Sequence, residues 1–334
     1  MQMNYKKLGI VVGCTAVVAA LAGIIGTKFI NKSEAKMEKS PAKVYYVKEI
    51  TPENLIKIYD ALGVELKGKV GVKVSTGEAG SRGYLKADLI GPLVQKLNGT
   101  ILECNTAYAG QRNTVEDHLK VAEEHGFTKF ADVDIMDAEG EMKIPVHNGK
   151  HLKYNLVGTH LDNYDSILNL AHGKGHAMGG FGANLKNQSI GIASRNGKAY
   201  IHSAGFTEDP DKAWSNLPEQ QAFIESMAEA AKSVSDYFAS QGKQIVYITV
   251  MNFLSVDCDC DAHQTDPVMA DLGIVASTDP VANDQAFVDM VYASKDPGAK
   301  KLQERIDRQM GRHILPYAES IGLGTTKYEL IELD

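Results

Sequence analysis

Apolar and polar positions along this chain follow two periods that take turns. Short runs rich in valine, isoleucine and leucine read as buried strands: KVGVKVS (69–75), TILECNT (100–106), ADVDIMD (131–137), YDSILNLAH (164–172), QIVYITVMNF (244–253) and DLGIVAST (271–278). Segments with helical spacing lie between them: 51–62, 85–97 with an interruption at Pro92, 114–126, 217–242, 280–294, and a last helix from about Lys300 to Ile321. Thr51 before Pro52 marks a helix start, because a threonine hydroxyl caps free amides and proline lacks the amide that would go unpaired. Strand, helix, strand with connections long enough for crossovers predicts an α/β fold over 44–334, a mostly parallel sheet flanked by helices. KYELIEL (327–333) is one more candidate strand, and 138–163 is irregular enough to be a hairpin or a lobe boundary.

The amino-terminal pattern differs. Leu8 to Gly26 holds no charged residue and is bracketed by Lys6, Lys7, Lys28 and Lys32. Nineteen such residues in a helix span roughly 29 Å, close to the hydrocarbon thickness of a bilayer. This predicts one N-terminal transmembrane helix within 1–30, acting as a signal anchor, and a polar tether over 31–43. A small-x-small site at Ser33-Glu34-Ala35 keeps a cleaved signal peptide as the alternative. With Lys6 and Lys7 inside, the expected location is the cell membrane, single-pass, with the α/β domain extracytoplasmic; cleavage would make it secreted.

Composition narrows the classes. Apolar residues make up 44% and charged ones 23%, which is ordinary for a globular chain and not for a disordered one. The net charge of −7 comes without a basic block in the folded part, so no nucleic-acid partner is expected. Four cysteines are too few for a disulfide framework.

Ligands of open α/β sheets bind beyond the carboxyl ends of the strands, and the residues following each strand here are chemically capable. Ser75 follows the first and Asn105 the second. His172, Lys174, His176, Gly179, Gly180, Lys186 and Asn187 lie in HGKGHAMGGFGANLKN (172–187), and Asp279 follows the sixth. Glycines let backbone approach a ligand closely, and the lysines suit an anion. This assigns Lys186, Asn187, Gly179, Gly180, Ser75 and Asn105 to ligand binding, and His172, Lys174, His176 and Asp279 to proton transfer and orientation.

In SVDCDCDAHQTDP (255–267), Cys258, Cys260 and His263 form a candidate set for a divalent metal, with Asp257 or Asp259 assisting. The competing readings are a labile redox pair and a structural loop, since structural zinc sites space their cysteine pairs more widely.

Three stretches, HGKGHAMGGFGANLKNQSIGIASRNGK, DCDCDAHQTDPVMADLGIVASTDPVANDQAFVD and HILPYAESIGLGTTKYELIEL, together resemble the domain of unknown function 362 family over about residues 44–332. Many members of that family carry a ferredoxin-like cysteine cluster after the glycine-rich loop. This chain has no cysteine between His202 and Gly242, and its folded part offers only Cys104, Cys258 and Cys260 where a four-iron cluster needs four thiolates. The resemblance implies the fold neighbourhood, no iron-sulfur cluster, and no settled activity. The expected function is a metal-dependent enzyme, redox chemistry included, for a small anionic substrate. The alternative is a non-catalytic metal- or anion-binding surface protein.

Overall fold

The structure, a computed structural model, describes residues 40–334. The expected anchor at 1–30 and most of the tether lie outside the described residues. Among the described residues no helix is long and apolar enough to cross a membrane.

In chain order come β1 (Ala42–Val47), α1 (Pro52–Ala61), β2 (Val70–Lys73), α2 (Ala87–Lys96), β3 (Thr100–Glu103), α3 (Val115–Glu124) and β4 (Val133–Ile135). A hairpin of β5 (Glu141–Pro145) and β6 (Tyr154–Gly158) occupies the irregular region. Next are β7 (Ser166–His172), the short β8 (Lys174–His176) and β9 (Gly180–Gly182), then α4 (Asn184–Ser189), α5 (Arg195–His202), α6 (Pro210–Ala213) and α7 (Gln220–Ser240). The last elements are β10 (Gln244–Met251), β11 (Gly273–Ser277), α8 (Pro280–Ala293), α9 (Ala299–Arg308), α10 (Ile314–Ser320) and β12 (Tyr328–Glu332). The Thr51 hydroxyl accepts from the Asn54 amide at 3.1 Å, as its place before Pro52 predicts. Helix α2 runs through Pro92 without a break. The expected helix at 300–321 is two helices, because Met310 adopts a left-handed φ of 52° between α9 and α10.

Eight strands form one sheet in the order β12-β1-β11-β10-β7-β2-β3-β4. Every neighbouring pair is parallel except the two that involve β11. One reversed strand matters for function. Met251 pairs with Gly273 and Tyr247 with Ser277, so β11 starts at the carboxyl edge and delivers Thr278 and Asp279 to the opposite edge. Asp279 caps α8 there: its Oδ1 accepts from the Val281 and Ala282 amides at 2.9 and 3.0 Å, and its Oδ2 from Thr325 at 3.0 Å. The expectation that Asp279 serves the site is therefore corrected; one antiparallel crossing moved it away.

Strand residues alternate between two cores, as a period of two requires. Ile274 and Ala276 join Leu55 and Ile58 of α1 and Ile90 and Leu93 of α2 on one face. Val275 joins Ile224, Met227 and Ala228 of α7 and Val281 and Phe287 of α8 on the other.

Candidate functional site

Chain order puts β2 and β7 side by side, with β3 and β4 continuing outward from β2 and β10 from β7. Such a switch point opens a crevice at the carboxyl edge, and a cavity of about 230 Å³ lies there. Its walls include Lys73 and Ser75 after β2, Glu103 and Cys104 of β3, Lys186 and Asn187 of α4, Lys198 and His202 of α5, and Trp214. Its remaining side is His176, Cys258 and Cys260.

Cations outnumber their partners in this cavity. Lys73, buried in a strand, pairs with Glu103 at 2.9 Å and also meets Asn187 Oδ1 at 3.2 Å. Arg112 reaches Glu103 at 3.3 Å and Glu78 at 3.4 Å, and Tyr108 donates to Glu78 at 3.1 Å. Burial alone would raise the Glu103 pKa; Lys73, His118 and Arg112 more than offset it and hold the carboxyl well below its usual range. Lys174 pairs with Asp259, which also accepts from His172 Nδ1 at 2.9 Å. The other nitrogen of His172 meets the Asn252 carbonyl at 2.6 Å. Lys198 donates only to backbone, the Ala193 carbonyl at 2.6 Å and the Cys104 carbonyl at 3.4 Å, and burial lowers its pKa. Lys186 stands out further. Among the described residues it has neither a hydrogen bond nor an ion-pair partner. Burial, then the Lys174 cation, pull its pKa down to about 7. Its helix is held from below, since Asp284 of α8 accepts from the first two amides of α4, Asn184 at 2.8 Å and Leu185 at 2.9 Å.

At the sulfur corner, Cys258 and Cys260 are joined in a disulfide. Gly175 makes the close approach possible: a side chain there would collide with the Val256 carbonyl at 2.5 Å, while its amide donates to Ser255 at 2.8 Å. This seats β8 against the cysteine loop and places His176 Nε2 4.0 Å from Cys260 Sγ. The ligand atoms of His176, Cys258 and Cys260 all lie within 4.8 Å of one another, near enough for the reduced group to hold a metal ion. The hydrogen bonds of the ring are less suited to it. His176 Nδ1 accepts from the amides of Met178 at 3.1 Å and Gly179 at 2.9 Å, so the hydrogen of the neutral ring sits on Nε2, facing sulfur. A ligating imidazole presents the reverse, a bare nitrogen to the metal and an N–H to its support. Burial, then Lys186 and His202, keep the ring neutral by lowering its pKa well below the usual value.

The family description that matches this chain, domain of unknown function (DUF362), covers residues 70–289, from β2 into α8 and so through every wall of the cavity. The chain belongs to the DUF362 family. No curated protein matches it. Among solved structures it is similar to a Thermotoga maritima protein at 13% identity and a TM-score of 0.37, with 79% of this chain and 61% of that one covered. It is also similar to a lactate racemase apoprotein from Thermoanaerobacterium thermosaccharolyticum, at 14% identity and 0.42, with 75% and 57% covered. The chain thus spans about three-fifths of the length of these two structures, and neither likeness is close enough to bear on chemistry.

In this DUF362 chain the residues expected from sequence divide three ways. Cys258, Cys260, His176, Lys186, Asn187 and Ser75 line the cavity, while Lys174, His172 and Asp259 form a buried triad on its flank. His263 does not join the sulfur group; it is exposed, with its amide bonded to Asp261, and His176 supplies the imidazole instead. Asp257 turns away to Thr265 at 2.7 Å and Arg305 at 3.4 Å. Gly179 serves His176 with its amide, Gly180 has a φ of 78° with no room beside Gly311, and Asn105 bonds to Asp137 through its amide without lining the cavity. Sequence reasoning missed Lys73, Glu103, Arg112, Lys198 and His202. The available signal was charge at Lys73 and Glu103 within strands otherwise buried, positions that demand partners. Trp214 also lines the cavity and rests against His202 with ring centres 5.0 Å apart.

Proposed function

We propose that this chain is an enzyme that binds a small anionic substrate in the cationic cavity and acts on it at the Cys258–Cys260–His176 corner. One observation carries the reading: the amine of Lys186, partly buried beside other cations, has no partner among the described residues. A partly desolvated amine among like charges is disfavoured in its charged form unless a ligand supplies the missing charge. A carboxylate, sulfonate or phosphate group between Lys186 and Lys198 would do so. Reactive sulfur on the wall of the same cavity favours catalysis over simple capture.

The test is calorimetric titration of the purified full chain with sulfate, whose charge is constant near neutral pH, beside Lys186→Met. Saturable binding weakened about tenfold or more in the variant is expected, the worth of one charge-assisted bond. Equal binding in both would remove Lys186 from the reading.

A metal-dependent form of the same reading is favoured by the closeness of the His176, Cys258 and Cys260 ligand atoms. Thiolates would hold a thiophilic ion. Elemental analysis of the reduced chain beside Cys258→Ser/Cys260→Ser decides it: about one equivalent lost in the variant supports it, and none in either rejects it. We also propose that the domain works outside the cell membrane on the apolar segment Leu8–Gly26. Protease cleavage of the domain in intact cells would agree; full protection would not.

A further inference from the structure

Both cysteines line the cavity and an outer cleft formed with Glu78, Tyr108 and Ala262, but Cys258 is buried at 5% exposure whereas Cys260 is partly open. The two residues are therefore unequal in exposure: Cys260 is the more open and Cys258 the more sheltered. His176 Nε2 faces Cys260 as a hydrogen-bond donor and is fixed there by two backbone amides on the opposite side of the ring. A mobile or solvated histidine would not hold that hydrogen toward sulfur; this one has no other orientation that keeps both amide bonds. Lys186, without a partner among the described residues, stands on the same cavity wall.

We propose that Cys258–Cys260 is a working dithiol–disulfide couple whose partner is an anionic low-molecular-weight thiol, Cys260 being the sulfur that exchanges and Cys258 the one that resolves. The proposal rests on the small-anion reading and names its substrate class. The thiol, held through its anionic group by Lys186, loses its proton and attacks Cys260 Sγ. The Cys258–Cys260 bond breaks, its electron pair goes to Cys258 Sγ, and that sulfur takes up the proton, leaving a mixed disulfide on Cys260. A second thiol attacks the outer sulfur of that mixed disulfide and expels Cys260 as a thiolate toward the His176 N–H; this thiolate takes the second proton. The sum is one protein disulfide and two thiols going to one protein dithiol and one small disulfide. Run in reverse, the same sites oxidise the thiol. His176 acts here as a positioning donor for the Cys260 thiolate.

The test uses the purified full chain in its disulfide form and three small thiols: 2-mercaptoethanesulfonate, 2-mercaptoethanol and cysteamine. Each rate of dithiol formation is read by alkylation and mass spectrometry and divided by that thiol's rate with a free small disulfide, which removes intrinsic reactivity. The sulfonate is expected to lead the neutral thiol by about tenfold or more, with cysteamine slowest, and Lys186→Met should erase the order. In Cys258→Ser the small disulfide of the sulfonate thiol should leave a stable adduct on Cys260. Equal normalised rates in the wild-type chain overturn the proposal, as does exchange at Cys258. If sulfate still binds in a Lys186-dependent way while the thiols show no order, the thiol proposal falls and the small-anion reading stands. If neither sulfate nor thiol charge matters, both fall.

Discussion

Lys186 sets two opposite pH dependences at once. Its pKa is about 7 in the folded chain against roughly 10.4 when unfolded. Between those values the unfolded state binds the extra proton, so the contribution of this group to stability rises with pH from about 7 to about 10. Anion affinity runs the other way, falling as pH climbs past 7 and the amine loses its charge. Urea midpoints at pH 7 and 9 should rise for wild type relative to Lys186→Met, while sulfate affinity falls only in wild type; parallel midpoints would show that the amine keeps its ordinary pKa. Glu103 gives a second residue-level expectation. Glu103→Ala strands Lys73 and Arg112 without their shared carboxylate and should cost about 3–5 kcal/mol by chemical denaturation. Replacing Lys73 and Glu103 together by methionine and leucine should cost less, because no buried charge is then left alone on that strand pair. At this scale the sequence was partly readable. Lys186, His176 and the two cysteines sit in loops whose composition declares them, but whether His176 or His263 meets sulfur depends on Gly175 letting β8 pack on the loop, a contact 80 residues apart in the chain.

Helix and strand placement separate two aspartates that look alike in sequence. Asp279 caps α8 at the far edge of the sheet, and Asp284, one turn on, caps α4 beneath Lys186. Asp279→Ala should lower stability by about 1 kcal/mol, the worth of a cap, and leave sulfate affinity unchanged. Asp284→Ala should lower both, since α4 is six residues long and carries Lys186 and Asn187 on a start that Asp284 alone supplies with a side-chain acceptor. Equal effects of the two substitutions on sulfate binding would contradict the antiparallel crossing of β11. That crossing is why the element pattern was legible and its direction was not: the strand Gly273–Ser277 is buried on both faces whichever way it points, so hydrophobicity carries no sign of orientation.

Across the whole molecule, distant segments are joined through buried carboxylates, and acid should undo them together. Glu225 of α7 accepts from Gln221 at 2.7 Å, from Lys150 and His151 of the β5–β6 connection at 2.7 Å each, and from His313 before α10 at 3.0 Å. Burial works to raise its pKa, but these four donors outweigh it and lower the pKa. Glu103 and Asp259 are lowered in the same way by their lysine and histidine partners. A carboxylate with a depressed folded pKa adds stability that is complete above its unfolded value, roughly 4, and is lost as pH falls toward the folded value. With three such groups, the urea midpoint should drop steeply below about pH 4. Glu225→Gln should lower the midpoint at pH 7 and flatten the acid slope, because the amide cannot be protonated and accepts from fewer partners. A wild-type midpoint that holds steady down to pH 3 would mean that these carboxylates are not the ties between the hairpin, α7 and the carboxyl-terminal helices. That tie is also what a sequence hides most completely: Glu225 falls on the polar-looking side of an alanine-rich helix, and only the assembled fold turns that side inward.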